Sequence, residues 1–482
     1  YWRLLEFHGF SGASGTYRNI IVRCKSEQKS VYIDGFAMMP EKPSIRKRLS
    51  IQQADSPISV LMLGIDSISR LNLIRAMPET RTYLKLNKWI EMKGYNKIGD
   101  NTFPNLMGIL TGLDSSGISK TCVSDTLNYC PFIWNDFQNN GYITVFAEDA
   151  PKISTFNYLR EGFEERPTDY YLRPFILESE KVLPTTKQSA LPSCLGFRHE
   201  GEYVLDYALE LTNRFNSTPY FGFFWTFSHN NIKDSSSMDD KVVEYLRKLE
   251  LSKSVIFFFS DHGMRFGPTR MSPLGHYEER LPFMFIHLPT VVKQKFPNLE
   301  RNVRSNENQL TSPYDIYMTL QTILNLSTGR KVFTRMSELP VLFEPITYNR
   351  GCDDIAIGHH WCMCHDFLTY DPNQNLAKYL ANLTIFEINY FISSYKDGIF
   401  TELCKELSLR SVDQFKANEN LELYLVTFTT DPNGSQFQVT IHYSPGSVPR
   451  IALKEHISRL NIYKFDAFCV NDLEIFIRIL LL

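Results

Sequence analysis

The feature that most restricts how this chain can fold is a series of short, unbroken apolar runs separated by helical patterns. The runs are Val60–Ile65, Tyr142–Ala147, Tyr220–Phe227, Ser254–Phe259 and Pro282–His287. None shows the polar alternation of a strand with one wet face, so each must be covered on both sides. Between them, helical periodicity runs over Ser69–Leu86, Thr102–Leu110, Gly201–Arg214, Asp239–Leu249 and Tyr314–Leu324. Strand and helix in alternation predict an α/β core with a mainly parallel central sheet and helices on both faces, spanning residues 56–345.

The flanks read differently. Residues 1–55 form an N-terminal appendage, with short strands expected at Asn19–Arg23 and Ser30–Ile33 and a basic, Pro-containing link at Pro40–Arg48. After Pro345 the alternation stops. A Cys-rich stretch, Cys352–Cys364, leads to a helical segment at Asn375–Tyr395. Leu421–Thr429 and Gln436–Tyr443 then alternate around the turn-rich Asp431–Gly434, which predicts a hairpin. Residues 346–482 are therefore expected to form a smaller α+β domain.

Composition excludes several classes. With 43% apolar residues over 482 positions the chain can bury a large core, so it is neither a disordered tail nor a small stapled scaffold. The 51 basic and 53 acidic residues leave a net charge of −2, which gives no positive field for a nucleic-acid polymer. The longest apolar runs, Val255–Ser260 and Ile475–Leu482, fall short of the ~20 residues of a membrane helix. The chain does not begin with Met, which leaves room for a signal or anchor ahead of Tyr1. Nine cysteines are an odd number, so full pairing within the chain leaves one thiol over. Sequons beginning at Asn216, Asn325, Asn382 and Asn433 are compatible with a glycoprotein of the secretory pathway, extracellular or lumenal.

In a parallel sheet, ligands sit outside the carboxyl ends of the strands, so polar residues just after apolar runs are the first candidates. Asp66 ends the opening run in VLMLGIDSISR, where it could instead cap the next helix. In GDNTFPNLMGILTG, Asn101 or Thr102 could cap a helix that has Pro104 in its first turn. The same geometry suits anion binding, and a hydroxyl there could attack phosphorus. In VIFFFSDHGMRFG, Asp261 and His262 offer a carboxylate oxygen and an imidazole, a donor set suited to zinc or a similar ion, and Gly263 permits an immediate turn. His229 follows the run YFGFFWTF, and His276 lies in LGHYEERLPF. Trp225 and Phe103 could stack a base, although core packing is the plainer role. Cys352, Cys362 and Cys364 with His359, His360 and His365 could form a zinc knuckle, but disulfides are the simpler reading. Cys122 and Cys130 form a second candidate bridge.

The ordered set of Asp66, Thr102 in T-F-P-N and Asp261-His262-Gly263 resembles the alkaline phosphatase superfamily, which includes nucleotide phosphodiesterases, sulfatases and phosphoethanolamine or lipoteichoic-acid-type transferases. The nearer resemblance is to the sulfatase-like DUF229 family of metazoan proteins. It rests on MLGIDSISR, NTFPNLMGILTG, FSDHGMRFG, EERLPF, SPYDIYMTL and the C-x9-C-x-C pattern ending at Cys364.

The resemblance implies a divalent cation, zinc, held by Asp66, Asp261 and His262, with Thr102 as both ligand and nucleophile. It implies that His229 sits beside the substrate anion or, as in two-zinc members, at the other metal, and that His276 occupies a similar downstream place and serves the substrate anion. The Asp-x-x-x-His motif of two-zinc phosphodiesterases is absent before His229, which leaves a second metal without its motif. Ordinary sulfatases oxidise a Cys or Ser, followed by Pro and Arg two and four residues on. This chain has Thr102, Pro104 and Leu106 there, and threonine cannot give that aldehyde. The expectation is a metal-dependent phosphoric-ester hydrolase or phosphoryl transferase working through a phospho-threonine, on a substrate in a membrane-anchored or glycan context. The alternatives are a noncatalytic binding ectodomain that keeps the fold and a sulfuric-ester hydrolase.

Overall fold

The computed structural model describes residues 3–11, 17–26, 29–51, 57–122, 126–158, 160–188, 191–227, 234–272, 274–329, 341–346, 349–393, 405–451 and 456–461. The central sheet has seven strands, in the order Ile90–Glu91, Met284–His287, Ser254–Phe259, Ser59–Ile65, Tyr220–Thr226, Ile143–Glu148 and Tyr170–Tyr171. The middle of this sheet is parallel, with Val60 beside Phe221 on one side and Val255 on the other. Met284–His287 and Ile90–Glu91 pair antiparallel at one edge.

The unbroken apolar runs are explained by two separate cores. Val60, Met62, Phe221, Phe223, Trp225, Val255, Phe257 and Phe259 face one core, with the helices Thr102–Thr111, Ile133–Asn139 and Pro313–Thr328. Leu61, Leu63, Ile65, Phe224, Ile256 and Phe258 face the other, with Glu200–Arg214 and Asp239–Lys248. Successive strand residues alternate between two dry faces, so most positions are apolar, with hydroxyl residues such as Thr144 and Ser254 buried among them. Trp225 is fully buried against Phe223 and Phe259, which makes it a packing residue rather than a base-stacking one.

The helical pattern Ser69–Leu86 divides into Arg70–Ala76 and Pro78–Leu86. Pro78 lacks the amide that would continue the first helix and disfavours helical geometry at Met77. The expected link Pro40–Arg48 overlaps the helix Pro43–Ile51, which has proline at its tolerated first position. Ahead of it, Arg3–Ser11, Tyr17–Ser26 and Lys29–Ala37 form a three-stranded antiparallel sheet. Its Ile21 and Ile33 join the second core.

C-terminal to the core, Leu368–Tyr370, Ser408–Asn418, Leu423–Asp431, Gln436–His442 and Ile457–Arg459 form a five-stranded antiparallel sheet. The expected hairpin is its centre. The helix Asn375–Ser393 packs on one face of this sheet through Ala377, Leu380, Ile385 and Ile388. Cys122–Cys130 and Cys352–Cys362 are bonded as disulfides. With two of its thiols oxidised and both nitrogens of His360 hydrogen-bonded to Thr440 and Ser458, the Cys-rich stretch is a cross-link rather than a zinc knuckle. No helix of the described residues is long and apolar enough to cross a membrane. The run Ile475–Leu482 lies outside the described residues.

Candidate active site

Two neighbouring parallel strands end at the same level and deliver the chemistry. Ser59–Ile65 leads directly into Asp66, and Ser254–Phe259 leads through Ser260 to Asp261 and His262. Asp66 does not cap the following helix. That role falls to Ser69, whose hydroxyl accepts the Asn72 amide, and Asp66 is left facing Asp261 and His262. Ser67 takes a left-handed backbone, φ 61°, a strained geometry in a non-glycine residue. Its amide donates to Asp261 Oδ1 at 3.1 Å and its hydroxyl to Asp66 Oδ1 at 2.9 Å.

The helix Thr102–Thr111 begins beside this pair. Asn101 takes the N-cap position without a side-chain capping bond. The Thr102 hydroxyl instead donates to Asp66 Oδ1 at 3.3 Å and lies 3.5 Å from His262 Nε2. Gly263 must be glycine, because a Cβ there would sit 2.1 Å from the Glu278 carbonyl oxygen. That close approach lets the Gly263 carbonyl accept from His262 Nδ1 at 2.8 Å. The proton is thereby placed on Nδ1 and the Nε2 lone pair is turned into the cluster. His262 Nε2 lies 3.2 Å from Asp261 Oδ2 and 3.8 Å from Asp66 Oδ1.

Asp66, Asp261 and His262 are all buried, and their ligand atoms lie within 4.8 Å of one another. Asp261 Oδ1 accepts from Ser67, Ser260 and the His262 amide, but Oδ2 is buried without a hydrogen-bond partner. Burial, followed by the charge of Asp261, pushes the Asp66 carboxyl well above the usual carboxylate range. Burial holds His262 below the ordinary imidazole value. Two adjoining buried carboxylates, one with an orphaned oxygen, and an imidazole lone pair are a donor set that fits a divalent cation.

The structure therefore brings together Asp66, Thr102, Asp261 and His262. His229 lies outside the described residues. His276 Nδ1 meets Gln438 Oε1 of the C-terminal sheet at 3.3 Å. Burial, then the Arg280 and Arg270 guanidiniums, holds His276 well below the usual imidazole value. Sequence reasoning missed Asp100 and Arg265, which pair at 2.7 Å. Arg265 acts electrostatically on both Asp66 and His262. Its presence in the same FSDHGMRFG block was the available signal. Asp149 was also missed, although it follows the apolar strand Ile143–Glu148 as Asp66 follows Ser59–Ile65.

Structural comparison finds likeness to a protein in the alkaline phosphatase superfamily from Vibrio parahaemolyticus, at 11% identity and a TM-score of 0.41, over 83% of this chain and 84% of that one. The lipoteichoic acid synthase LtaP from Listeria monocytogenes aligns at 13% identity and a TM-score of 0.38, over 65% and 81% of the two chains. The integral membrane lipooligosaccharide phosphoethanolamine transferase A from Neisseria meningitidis aligns at 11% identity and a TM-score of 0.40, over 57% and 56%. No curated protein matches the sequence. The family model described as "Protein of unknown function (DUF229)" matches residues 8–413, and with that span, which takes in Asp66, Thr102, Asp261 and His262, the chain belongs to the DUF229 family.

Proposed function

We propose that the protein is a metal-dependent phosphoric-ester hydrolase or phosphoryl transferase that works through a covalent phospho-threonine at Thr102. The observation that carries this reading is the Thr102 hydroxyl, 3.3 Å from Asp66 Oδ1 and 3.5 Å from His262 Nε2, beside the orphaned Asp261 Oδ2. Asp66, Asp261 and His262 would hold the cation, zinc or a similar ion, with Thr102 as a further ligand. When bound, that ion supplies Lewis acidity and lowers the pKa of a coordinated hydroxyl.

The chain's own residues supply the rest. Asp66 Oδ1 accepts a hydrogen bond from the Thr102 hydroxyl and orients its oxygen, and the hydroxyl proton passes to solvent as the attack begins. The Thr102 Oγ1–phosphorus bond forms as the bond to the leaving oxygen breaks, and the leaving group departs with its electron pair. Water or an acceptor alcohol then attacks phosphorus and gives up its proton to solvent, while the bond to Thr102 breaks and the Thr102 oxygen is reprotonated. Free amides at the start of the Thr102–Thr111 helix and the Arg265 guanidinium favour the charge spread over the other phosphoryl oxygens. The chemistry at Thr102 and Leu106 disfavours an ordinary sulfatase route. The two disulfides and the four sequons support residence in the secretory pathway.

The test is turnover of aryl phosphodiesters and monoesters by wild type and Thr102→Ala. Thr102→Ala is expected to abolish turnover while keeping metal content near normal, and mass spectrometry of acid-quenched wild type should find phosphate on Thr102. Wild-type turnover by Thr102→Ala would rule the mechanism out. Sulfate release from aryl sulfates exceeding phosphate release from the matching esters would favour a sulfuric-ester hydrolase.

A further inference from the structure

On the other face of the sheet a cavity of about 50 Å³ opens at the ends of the strands Ser59–Ile65 and Tyr220–Thr226 and at the start of the helix Glu200–Arg214. Most of its wall is apolar, including Leu63, Val204, Phe224 and Phe258. His199, Thr226 and Ser235 and two carboxylates, Asp149 and Glu200, interrupt that wall. Asp149 is 4% exposed and anchored by one oxygen, Oδ1, which accepts the Phe227 amide at 2.8 Å. Glu200 is 3% exposed, and neither of its carboxylate oxygens has a hydrogen-bond partner. The nearby Ala150 amide favours the Glu200 carboxylate without reaching hydrogen-bonding geometry. Lys152 pairs with Glu180, at 3.1 Å. Ala150, the residue after Asp149, takes a left-handed backbone at φ 47°.

Such an arrangement is costly when empty. Burial, and then the neighbouring Glu180, raises the Glu200 pKa to about 7. Burial, and then Glu200 itself, raises Asp149 well above the carboxylate range. An unpartnered carboxylate in an apolar wall gains most from a ligand that brings a positive charge and N–H donors together with an apolar body.

We propose that this cavity binds a short organic monocation, an alkylammonium group, with its charge between Asp149 and Glu200 and its chain against the apolar wall. Size agrees: 50 Å³ holds roughly three to five waters at ~10–15 Å³ each, the bulk of a ligand of about five heavy atoms. A hard metal ion needs several convergent oxygen ligands. Among the described residues, the groups of three or more metal-type side chains that converge are the Asp66 and Cys352 groups, and neither includes Asp149 or Glu200. The proposal does not rest on the ester chemistry at Thr102, and the charge of Asp66 is felt at Asp149.

The test is ligand-observed NMR titration of the full chain with n-butylammonium and with its neutral isostere 1-butanol. The amine is expected to bind about tenfold or more tightly than the alcohol, and Glu200→Gln to remove that preference. Val204→Phe, which fills the cavity, should exclude both. Equal binding of amine and alcohol to wild type would overturn the proposal without any variant. So would displacement of the amine by Mg2+ in Asp261→Asn, where the first cation centre is disabled.

Discussion

Two buried clusters of charge lie a few residues apart and have opposite characters. In the first, Asp66 and Asp261 stand together with a neutral imidazole, and Asp261 Oδ2 has no partner. In the second, Glu279 accepts from Lys97 on one oxygen and from Arg280, at 2.6 Å, on the other. Arg280 Nε also donates to the His360 carbonyl, and Arg270 donates to Gln438 of the C-terminal sheet. The Trp361 ring lies 4.1 Å from Lys97 Nζ. The second cluster gathers three cations around Glu279 and joins the core, the Cys-rich stretch and the C-terminal sheet. The first leaves excess negative charge for a ligand to neutralise. Burial alone therefore does not mark a functional site; two adjoining carboxylates with no cation bonded to the orphaned Asp261 Oδ2 do. The two are connected, because the Glu279 carbonyl accepts the Gly263 amide at 3.0 Å and Lys97 donates to the Asp100 carbonyl, two residues before Thr102.

The comparison can be broken most severely at Asp261. Asn keeps an Oδ1 for the Ser67, Ser260 and His262 donors but replaces the orphaned oxygen with a neutral amide. Asp261→Asn should lose high-affinity divalent-ion binding by equilibrium dialysis and about 10³-fold or more in kcat/KM, while remaining folded. An undiminished metal content would show that the orphaned oxygen is not a ligand.

Glu279→Gln should have the reverse profile. It leaves three cations around a neutral amide, so denaturant unfolding should show a loss of about 3–5 kcal/mol, since removing one partner strands the others. A change below 1 kcal/mol would mean that the joint carries little stability.

The smallest effect belongs to a carboxyl outside both clusters. Glu148 is 3% exposed, and burial raises its pKa to about 7 despite the Thr155 amide at 2.6 Å. The folded state thus binds the proton more tightly than the unfolded chain, and stability falls as pH rises from ~4.5 through about 7. Glu148→Gln, which does not ionise, should match wild type near pH 4 and exceed it near pH 8 by on the order of 2 kcal/mol, measured by urea unfolding. A pH-independent difference would place the origin of the effect in packing.

Much of this was legible in the sequence. The strand runs stood out because a strand dry on both faces lacks the regular polar alternation of a half-wet one, as Phe221 to Trp225 illustrate. Residue type and position after a strand singled out Asp66, Asp261 and His262, and the TFPN helix start singled out Thr102. Less legible was anything set by competition between neighbours. Asp66 and Ser69 are both good caps by composition, and only the backbone turn at Ser67 gives the cap to Ser69. The helix Pro43–Ile51 was hidden because its face is short and its flanks are basic and Pro-containing.

By itself, then, the sequence determined the layered α/β core and the chemical types available at its strand ends, because both follow from local apolar pattern and side-chain chemistry. Tertiary structure alone decided that Thr102 meets His262 across 160 residues, that His276 turns to Gln438, and that Asp149 and Glu200 share a cavity. Those meetings depend on strand register and on the helices that cross between strands. No short window of sequence encodes the relative position of two segments that touch only after the sheet has closed.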